Sequence, residues 1–307
     1  MAVLAGNAVM ATSQDDYQKA LRPVTDAEFK LFQTLIYEQA GIFLPPVKKL
    51  LLNGRLSKRI RTLGLPTFGK YFDYVCDDRS GAEMALMLDA VTTNETHFFR
   101  EPRHFEFLER VAYPHWQQHA AAGLRPRHLK FWSAACSTGE EPYSIAMSLL
   151  ENFPAESGWA LDILASDIAH SVLDTARAGV WPIKRAAEIP DPLLKKYMLK
   201  GVGEQAGRMK AARELRAPLR FDHINLNADR YPVSRGLDAI FCRNVLIYFD
   251  RESRQRVVNR LLDLLAPDGL LFLGHAESLN GMSDRVRSLT PAVYTLNTPH
   301  AMPRMQF

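Results

Sequence analysis

Two separated stretches of this chain carry polar residues where α/β proteins hold nucleotide-like ligands. Residues 132–142 predict a buried strand, a tight turn of small residues and a helix that begins at Pro142. Such a turn lets backbone N–H groups approach a nucleoside-type ligand closely. Residues 241–248 predict an apolar strand that ends at Arg243 and Asn244. Ligands of α/β sheets bind beyond the carboxyl ends of the strands, so both stretches indicate a cofactor site.

Asp167 follows a second predicted strand, residues 161–165. A carboxylate at that position accepts hydrogen bonds from the ribose hydroxyls of an adenosine group. It would equally serve as the N-cap of the predicted helix 171–178, and both roles remain open. The turn contains only Gly139, whereas a dinucleotide fingerprint needs three glycines, which disfavours a nicotinamide oxidoreductase.

A third stretch, residues 91–101, places four hydroxyl or amide side chains close to Arg100 and two phenylalanines. One interpretation is a polar interdomain linker held by its aromatic residues. The other is recognition of a carboxylate, for which a guanidinium among hydrogen-bonding side chains is suited.

The elements that position these stretches form two predicted regions. Residues 24–90 have apolar residues at helical spacing, with a capping box at Thr25 and Glu28 and a helix stop at Gly41. From residue 128, short apolar runs alternate with helical stretches, which predicts a doubly wound parallel sheet. The predicted strands are residues 128–134, 161–165, 219–226, 238–242, 270–273 (after a turn at 267–269) and 293–296. The long connection 179–221 predicts a small inserted subdomain of antiparallel strands.

Composition narrows the class of protein. Among 307 residues, 47% are hydrophobic and 23% are charged, which is typical of a globular protein. The net charge of +4 is too small to indicate a nucleic-acid partner by itself. The chain contains no run of about 18 apolar residues, so no membrane span is predicted. The three cysteines, Cys76, Cys136 and Cys242, form no CxxC motif, which predicts a reducing cytoplasm and no metal site.

Five motifs together resemble the CheR family of chemotaxis receptor methyltransferases. They lie, in the order of the family, at residues 92–101, 137–144, 165–168, 241–250 and 274–278. The resemblance runs from about residue 25 to 296. It implies a class I S-adenosylmethionine-dependent methyltransferase domain (α/β, doubly wound) at 128–298, with a β-subdomain inserted at about 182–218. A flexible leader (1–23), a helical domain (24–90), a linker with a connecting helix (91–127) and a tail (299–307) complete the expected organisation.

The resemblance also implies a reaction and its residues. Members of the family transfer the methyl group of S-adenosyl-L-methionine to receptor glutamates, giving γ-methyl esters and S-adenosyl-L-homocysteine. Arg100 and Tyr248 are the expected catalytic residues. The expected cofactor-binding residues are Asn94, Thr96, Arg100, Glu141, Asp167, Asn225, Leu226, Cys242, Arg243 and Asn244. Because a glutamate carboxylate has a pKa near 4.3, it is already a nucleophile at pH 7 and needs no general base.

Two further surfaces are predicted to bind the receptor. Residues 45–65 form a predicted basic helix without acidic residues, and its docking residues are Lys48, Arg55, Lys58 and Arg59. The alternative is a solvated charged face. A glycine pattern in the insertion resembles family members that bind a C-terminal receptor pentapeptide by β-augmentation. That tether would use Lys200, Gly201, Gly203, Gly207 and Lys210, and the alternative is a glycine-rich turn without a ligand.

Other functions compete with this interpretation. A nucleic-acid methyltransferase would also combine a class I sheet with a basic helix. However, neither Cys136 nor Cys242 follows a proline, as cytosine C5 enzymes require, and no Asn/Asp-Pro-Pro-Tyr/Phe run is present. A non-catalytic cofactor-binding regulator would lack Arg100 or Tyr248. The expected protein is therefore a cytoplasmic monomer that binds glutamate-rich receptor helices, with no nucleic acid and no membrane insertion.

Overall fold

The computed structural model describes residues 21–302. Most of the predicted leader and residues 303–307 of the predicted tail lie outside the described residues. Eleven α-helices occur in the described part of the chain. They are α1 (Asp26–Ala40), α2 (Lys49–Thr62), α3 (Phe68–Asp77), α4 (Ala82–Val91), α5 (Pro102–Phe107), α6 (Tyr113–Ala121), α7 (Glu140–Asn152), α8 (His170–Ala178), α9 (Asp191–Tyr197), α10 (Arg213–Arg216) and α11 (Arg251–Leu262).

Ten strands are found in the same part of the chain. They are β1 (His128–Ala134), β2 (Ala160–Asp167), β3 (Val180–Pro182), β4 (Met198–Lys200), β5 (Arg208–Ala211), β6 (Leu219–His223), β7 (Leu237–Cys242), β8 (Leu265–Leu273), β9 (Val286–Thr290) and β10 (Val293–Leu296). Seven of them form one sheet in the order β6-β2-β1-β7-β8-β10-β9. The other three form a second, antiparallel sheet in the order β3-β5-β4.

The helices α1 to α4 form a domain of their own around buried residues such as Phe32, Leu56 and Ile60. The predicted capping box is present, because Thr25 and Glu28 each accept a hydrogen bond from the backbone N–H of the other. Gly41 ends α1 in the left-handed conformation, as predicted. The chain then turns toward the sheet, and Ile42 pairs with Phe249 in an isolated antiparallel bridge.

Both faces of the large sheet are covered, as expected of a doubly wound fold. One face packs with helices α5 to α7 around Trp116, Phe131 and Tyr143. The other packs with α11 around Trp132 and Leu261. Strands β6, β2, β1, β7 and β8 are parallel, so their carboxyl ends meet at one edge of the sheet.

Several predicted boundaries differ from the structure. Helix α7 begins at Glu140 rather than Pro142, because a proline is tolerated within the first turn of a helix. The sheet is not wholly parallel, since β10 pairs antiparallel with β8 and with β9, a strand that the sequence did not reveal. The predicted turn at 267–269 is part of β8, next to an irregularity in its pairing with β7. The inserted sheet begins at Val180. Among the described residues, no helix has the length and apolarity of a membrane span.

Candidate active site

A cavity of about 380 Å³ lies between the helical domain and the carboxyl ends of the parallel strands. Its volume is within the range of small-molecule sites, about 300–1,000 Å³. Ten of the predicted cofactor and catalytic residues line it. They are Asn94, Thr96, Arg100, Glu141, Asp167, Asn225, Leu226, Arg243, Asn244 and Tyr248.

The turn between β1 and α7 forms one wall of the cavity in a strained conformation. Ala135 and Ser137 have φ angles of 67° and 50°, which residues other than glycine rarely adopt. Gly139 has φ 98°, and a Cβ on it would lie 2.9 Å from the Cβ of Ala176. The backbone of this turn thus requires glycine at residue 139, and strain of the kind seen at Ala135 and Ser137 concentrates at functional sites.

Asp167 lies beneath this turn and is nearly fully buried. Its Oδ2 accepts the N–H of Ser137 at 2.8 Å, and its Oδ1 accepts the N–H of Ala169 at 3.0 Å. The N-terminus of α8 is instead capped by Asp89, which accepts the N–H groups of His170 and Ser171 at 2.9 Å. Burial raises the pKa of Asp167. Each of its oxygens keeps a lone pair that can accept a ligand hydroxyl.

Arg243 joins three elements beneath the cavity. Its Nε donates to Glu141 Oε2 at 2.7 Å, and its Nη1 donates to the carbonyl of Arg100 at 2.6 Å. Glu141 Oε1 accepts the hydroxyl of Ser133 at 2.6 Å. His104 lies next to the guanidinium, and burial followed by the charge of Arg243 lowers its pKa to about 3. Arg243 therefore holds the backbone at Arg100 in position, and its guanidinium is occupied by these partners.

The 92–101 segment, between α4 and α5, crosses the cavity and is held from every side. Arg55 of α2 donates to the carbonyls of Val91 and Thr92 and to the hydroxyl of Thr93. Three contacts hold the segment on the sheet side: Ser137 Oγ donates to the Asn94 carbonyl, Arg185 to the Thr96 carbonyl, and the N–H of Phe99 donates to Ser144 Oγ. The segment is thus fixed by both domains and by the insertion.

Asn244 is held at the end of β7 by a residue that received no role from the sequence. Glu277, buried in the predicted motif 274–278, accepts the N–H groups of Asn244, Gly274 and Ile247 at 2.8, 2.7 and 3.2 Å. Asn244 has φ 58°, and a Cβ on Gly274 would overlap its side chain. Glu277 fixes the left-handed turn that points Asn244 into the cavity.

The remaining wall is apolar and was largely missed by the sequence analysis. Ile168, Ile224 and Phe249 line it together with Leu226. Asn225 is partly committed to the fold, since its Nδ2 donates to the carbonyl of Gln39 at 2.6 Å. Ile168 and Ile224 could have been found from their place directly after strands β2 and β6, beside Asp167 and Asn225. Phe249 lies within the 241–250 motif, where it received no role.

One predicted cofactor residue lies elsewhere. Cys242 is fully buried in the hydrophobic core on the α11 side of the sheet and is not part of the cavity lining. Side chains alternate between the faces of a strand, so the last residue of β7 points into the core while Arg243 reaches the edge. Burial raises the pKa of the Cys242 thiol well above its usual value.

The basic helix α2 is less available than its sequence predicted. Arg59 donates through Nε to Glu83 Oε1 of α4 at 2.9 Å, and Arg55 is used by the 92–101 segment. The counter-charge absent from residues 45–65 is supplied by another helix. Lys48 lines the cavity and Lys58 is exposed. Of the four predicted docking residues, these two make no such contacts within residues 21–302.

Comparison with known families identifies the chain. A family model described as "CheR methyltransferase, SAM binding domain" matches residues 94–294, and one described as "CheR methyltransferase, all-alpha domain" matches residues 27–92. The chain belongs to the CheR methyltransferase family. The predicted family, the class I methyltransferase fold and the use of S-adenosylmethionine are thereby confirmed.

Individual members of the CheR family are similar along nearly their whole length. The chain is 42% identical over 271 residues to chemotaxis protein methyltransferase 2 of Pseudomonas aeruginosa, covering 88% of this chain and 93% of that one. It is 38% identical over 275 residues to the chemotaxis protein methyltransferase of Escherichia coli, covering 89% and 92%. The corresponding protein of Borreliella burgdorferi is 33% identical over 289 residues, covering 94% and 100%.

We expect Glu277→Gln to weaken cofactor binding, because an amide cannot accept all three N–H groups and places its own donor among them. A buried donor left unpaired costs about 1–3 kcal/mol, so the Kd for S-adenosylmethionine should rise roughly tenfold. Isothermal titration calorimetry measures this change. Ser278→Ala, a neighbouring exposed position, is the control and should bind normally. A folded Glu277→Gln variant with unchanged Kd would contradict the role of Glu277.

Proposed function

We propose that this chain transfers the methyl group of S-adenosylmethionine to glutamate side chains of chemoreceptors and so acts in sensory adaptation. The observation that carries the proposal is the convergence of Arg100, Asn244 and Tyr248 with Asp167 around one cavity. That cavity lies between two domains, so a side chain of another protein can enter from the domain boundary while a cofactor occupies the sheet edge.

The lining fits the cofactor in its chemistry. Asp167 offers two carboxylate lone pairs at the end of β2 for ribose hydroxyls, and Ile168 and Leu226 offer an apolar slot for an adenine ring. Asn94 and Asn244 provide amide groups toward the amino-acid end. When bound, the cofactor supplies an electrophilic methyl group on a positively charged sulfonium.

Arg100 and Tyr248 are the residues that we assign to the substrate carboxylate. Arg100 donates one hydrogen bond to the carbonyl of Glu95 at 3.1 Å, which orients its guanidinium and leaves other N–H groups for the substrate. The segment that carries Tyr248 is fixed to the helical domain, because the Tyr248 carbonyl accepts the N–H of Phe43 at 2.8 Å. Their task is orientation and exclusion of water. A strong ion pair from Arg100 would weaken the nucleophile, so its contact must remain moderate.

Removal of Arg100 or the Tyr248 hydroxyl should slow methyl transfer. We expect Arg100→Ala to lower kcat by about 100-fold and Tyr248→Phe by about tenfold, since misplaced reactants lose the advantage of orientation. The assay incubates radiolabelled S-adenosylmethionine with receptor-containing membranes and scores base-labile label, which separates a carboxyl ester from N-methylation. Arg103→Ala, an exposed position on α5, is the matched control. Near-normal turnover of Arg100→Ala would overturn the assignment.

The receptor dock that we propose is smaller than the predicted basic helix. It consists of Lys48 at the cavity, the exposed Lys58, and the exposed apolar side chains of Phe43, Val47 and Leu50, which are 52%, 80% and 84% accessible. An apolar patch beside cations suits an amphipathic helix with glutamates on one face. A basic helix was the feature that favoured a nucleic acid as substrate. Because Arg55 and Arg59 bind groups within the chain, fewer of its cations are available to phosphates.

Charge reversal at Lys48 and Lys58 should raise the KM for receptor. We expect Lys48→Glu/Lys58→Glu to raise it by roughly 3- to 10-fold at low salt, as exposed ion pairs contribute modestly. The difference should shrink near 1 M salt, where the Debye length is about 3 Å. The control is Arg220→Glu/Arg235→Glu, which makes the same charge change at exposed positions outside the insertion. Altered affinity for S-adenosylmethionine would count against a docking role.

The inserted sheet is our proposed site for a receptor C-terminal pentapeptide. The glycines themselves have a structural explanation: Gly203 and Gly207 have positive φ angles, and a Cβ on Gly201 would overlap the Gln205 carbonyl. Support for the tether comes instead from the outer strand β4, where Leu199 and the following Val202 are 58% and 79% exposed. An outer strand with exposed apolar residues is suited to β-augmentation.

Titration of the chain with receptor C-terminal pentapeptides should release heat with about one peptide bound per chain. Lys200 and Lys210 are exposed on β4 and β5, so Lys200→Glu/Lys210→Glu should weaken binding of an acidic peptide by roughly tenfold. A peptide without its apolar side chains is the matched control. Absence of heat with the unaltered chain would indicate a tether-independent member of the family.

We also place the protein in the cytoplasm, where the receptor regions that carry methylatable glutamates are expected. Cys76, Cys136 and Cys242 are free thiols, which is consistent with a reducing compartment.

A further inference from the structure

A second cluster of chemically competent side chains lies at the opposite edge of the sheet. His115 and His119 occupy successive turns of α6, and Asp268 belongs to the irregular first part of β8. The two imidazole rings have centroids 3.9 Å apart, and His115 Nε2 lies 3.7 Å from Asp268 Oδ2. One potential ligand atom from each of the three residues lies within 4.8 Å of the others.

The separations suit ligands of one small metal ion. Zn²⁺ binds histidine nitrogen and carboxylate oxygen at about 2.0–2.2 Å in tetrahedral geometry, which places neighbouring ligand atoms about 3.4 Å apart. His115 Nε2 is buried and has no hydrogen-bond partner in the described residues. A buried polar atom without a partner is costly, so it needs an explanation that a bound cation would supply.

The surrounding charges leave the cluster available to a cation. Arg125 pairs with Asp238 and lies over the Trp116 ring at 5.3 Å. Its Nη1 also donates a long hydrogen bond, 3.4 Å, to Asp268 Oδ2, which leaves further lone pairs on the Asp268 carboxylate for a cation. The same surface hollow is lined by His128, Lys130 and His300. The two aspartates balance Arg125 and Lys130, and the histidines add neutral nitrogen donors of the kind that transition metals prefer.

We propose that His115, His119 and Asp268 bind a divalent transition-metal ion of the zinc class. Two histidines at positions i and i+4 of a helix present their rings on one face, and a carboxylate from the strand completes a three-ligand set. The remaining coordination position is open to water, His128 or His300. Such an ion would clamp α6 to the amino-terminal edge of the sheet.

The position of the cluster separates this role from methyl transfer. The cavity of the CheR-family site lies at the carboxyl ends of the strands, whereas His128 begins β1 and Asp268 precedes the well-paired part of β8. The seven residues of β1 separate the two edges by about 20 Å. The ion would therefore stabilise the connection between α6 and the sheet. The cysteine count, from which no metal was predicted, carries no information about a histidine site.

The test uses the untagged full chain with Zn²⁺ in equilibrium dialysis and with Co²⁺ in visible absorption spectroscopy. We expect about one ion bound per chain, an intense tetrahedral Co²⁺ spectrum and a Tm that Zn²⁺ raises by about 5 °C. His115→Asn/His119→Asn should weaken binding by at least about tenfold and abolish the spectrum. Asp268→Asn is a second variant, in case the first does not fold.

The matched control is His170→Asn/His223→Asn. These two rings stack at 4.1 Å, but no third ligand completes a metal-binding group with them in the described residues. The control should bind Zn²⁺ as the unaltered chain does. Equal Zn²⁺ affinity in the unaltered chain and in folded variants of His115, His119 and Asp268 would overturn the proposal, as would loss of binding in the control.

Discussion

The buried ion pair between Arg243 and Glu141 is the interaction on which the site depends. Their side chains are 2% and 9% exposed, and a pair so deeply buried is tolerated only when its remaining donors and acceptors are satisfied. The Arg100 carbonyl and the Ser133 hydroxyl satisfy them. The pair thereby joins β1, the end of β7, the start of α7 and the 92–101 segment. Removal of either partner would leave an unpaired buried charge and lower the free energy of unfolding by about 3–5 kcal/mol.

The 92–101 segment connects this ion pair to the helical domain, because it contacts Arg243 at one end and Arg55 at the other. Arg55 holds it from the helical domain, Ser137 and Ser144 from the sheet, and Arg185 from the insertion. Asp89, at the end of the helical domain, also caps α8. Groups from three parts of the chain therefore fix the residues that face the cavity. The strained backbone at Ala135, Ser137 and Asn244 is compatible with such multiple restraints, which would hold conformations that are locally unfavourable.

Local patterns in the sequence accounted for much of the fold. The capping box at Thr25, the strand 128–134 and the position of Asp167 at the end of β2 were predictable because neighbours in the chain determine them. Strand β9 was missed because its burial is only partial and carries no clear alternation. Cys242 was assigned to the cofactor from the family motif, whereas the side chain of this last residue of β7 packs in the core beside α11. Glu277 was recognised within a motif, but the N–H groups that it accepts come from the end of another strand.

The sequence alone determined the family, the cofactor and the set of polar residues at the strand ends, since these follow from motif order and from the periodicity of each element. Tertiary structure alone decided how the charges are used. Arg55 and Arg59 look free in a segment without acidic residues, yet Val91, Thr92 and Glu83 engage them across helices. Pairing of a buried or bridging charge depends on which group lies within about 3 Å, and that distance is set by packing between elements far apart in the chain.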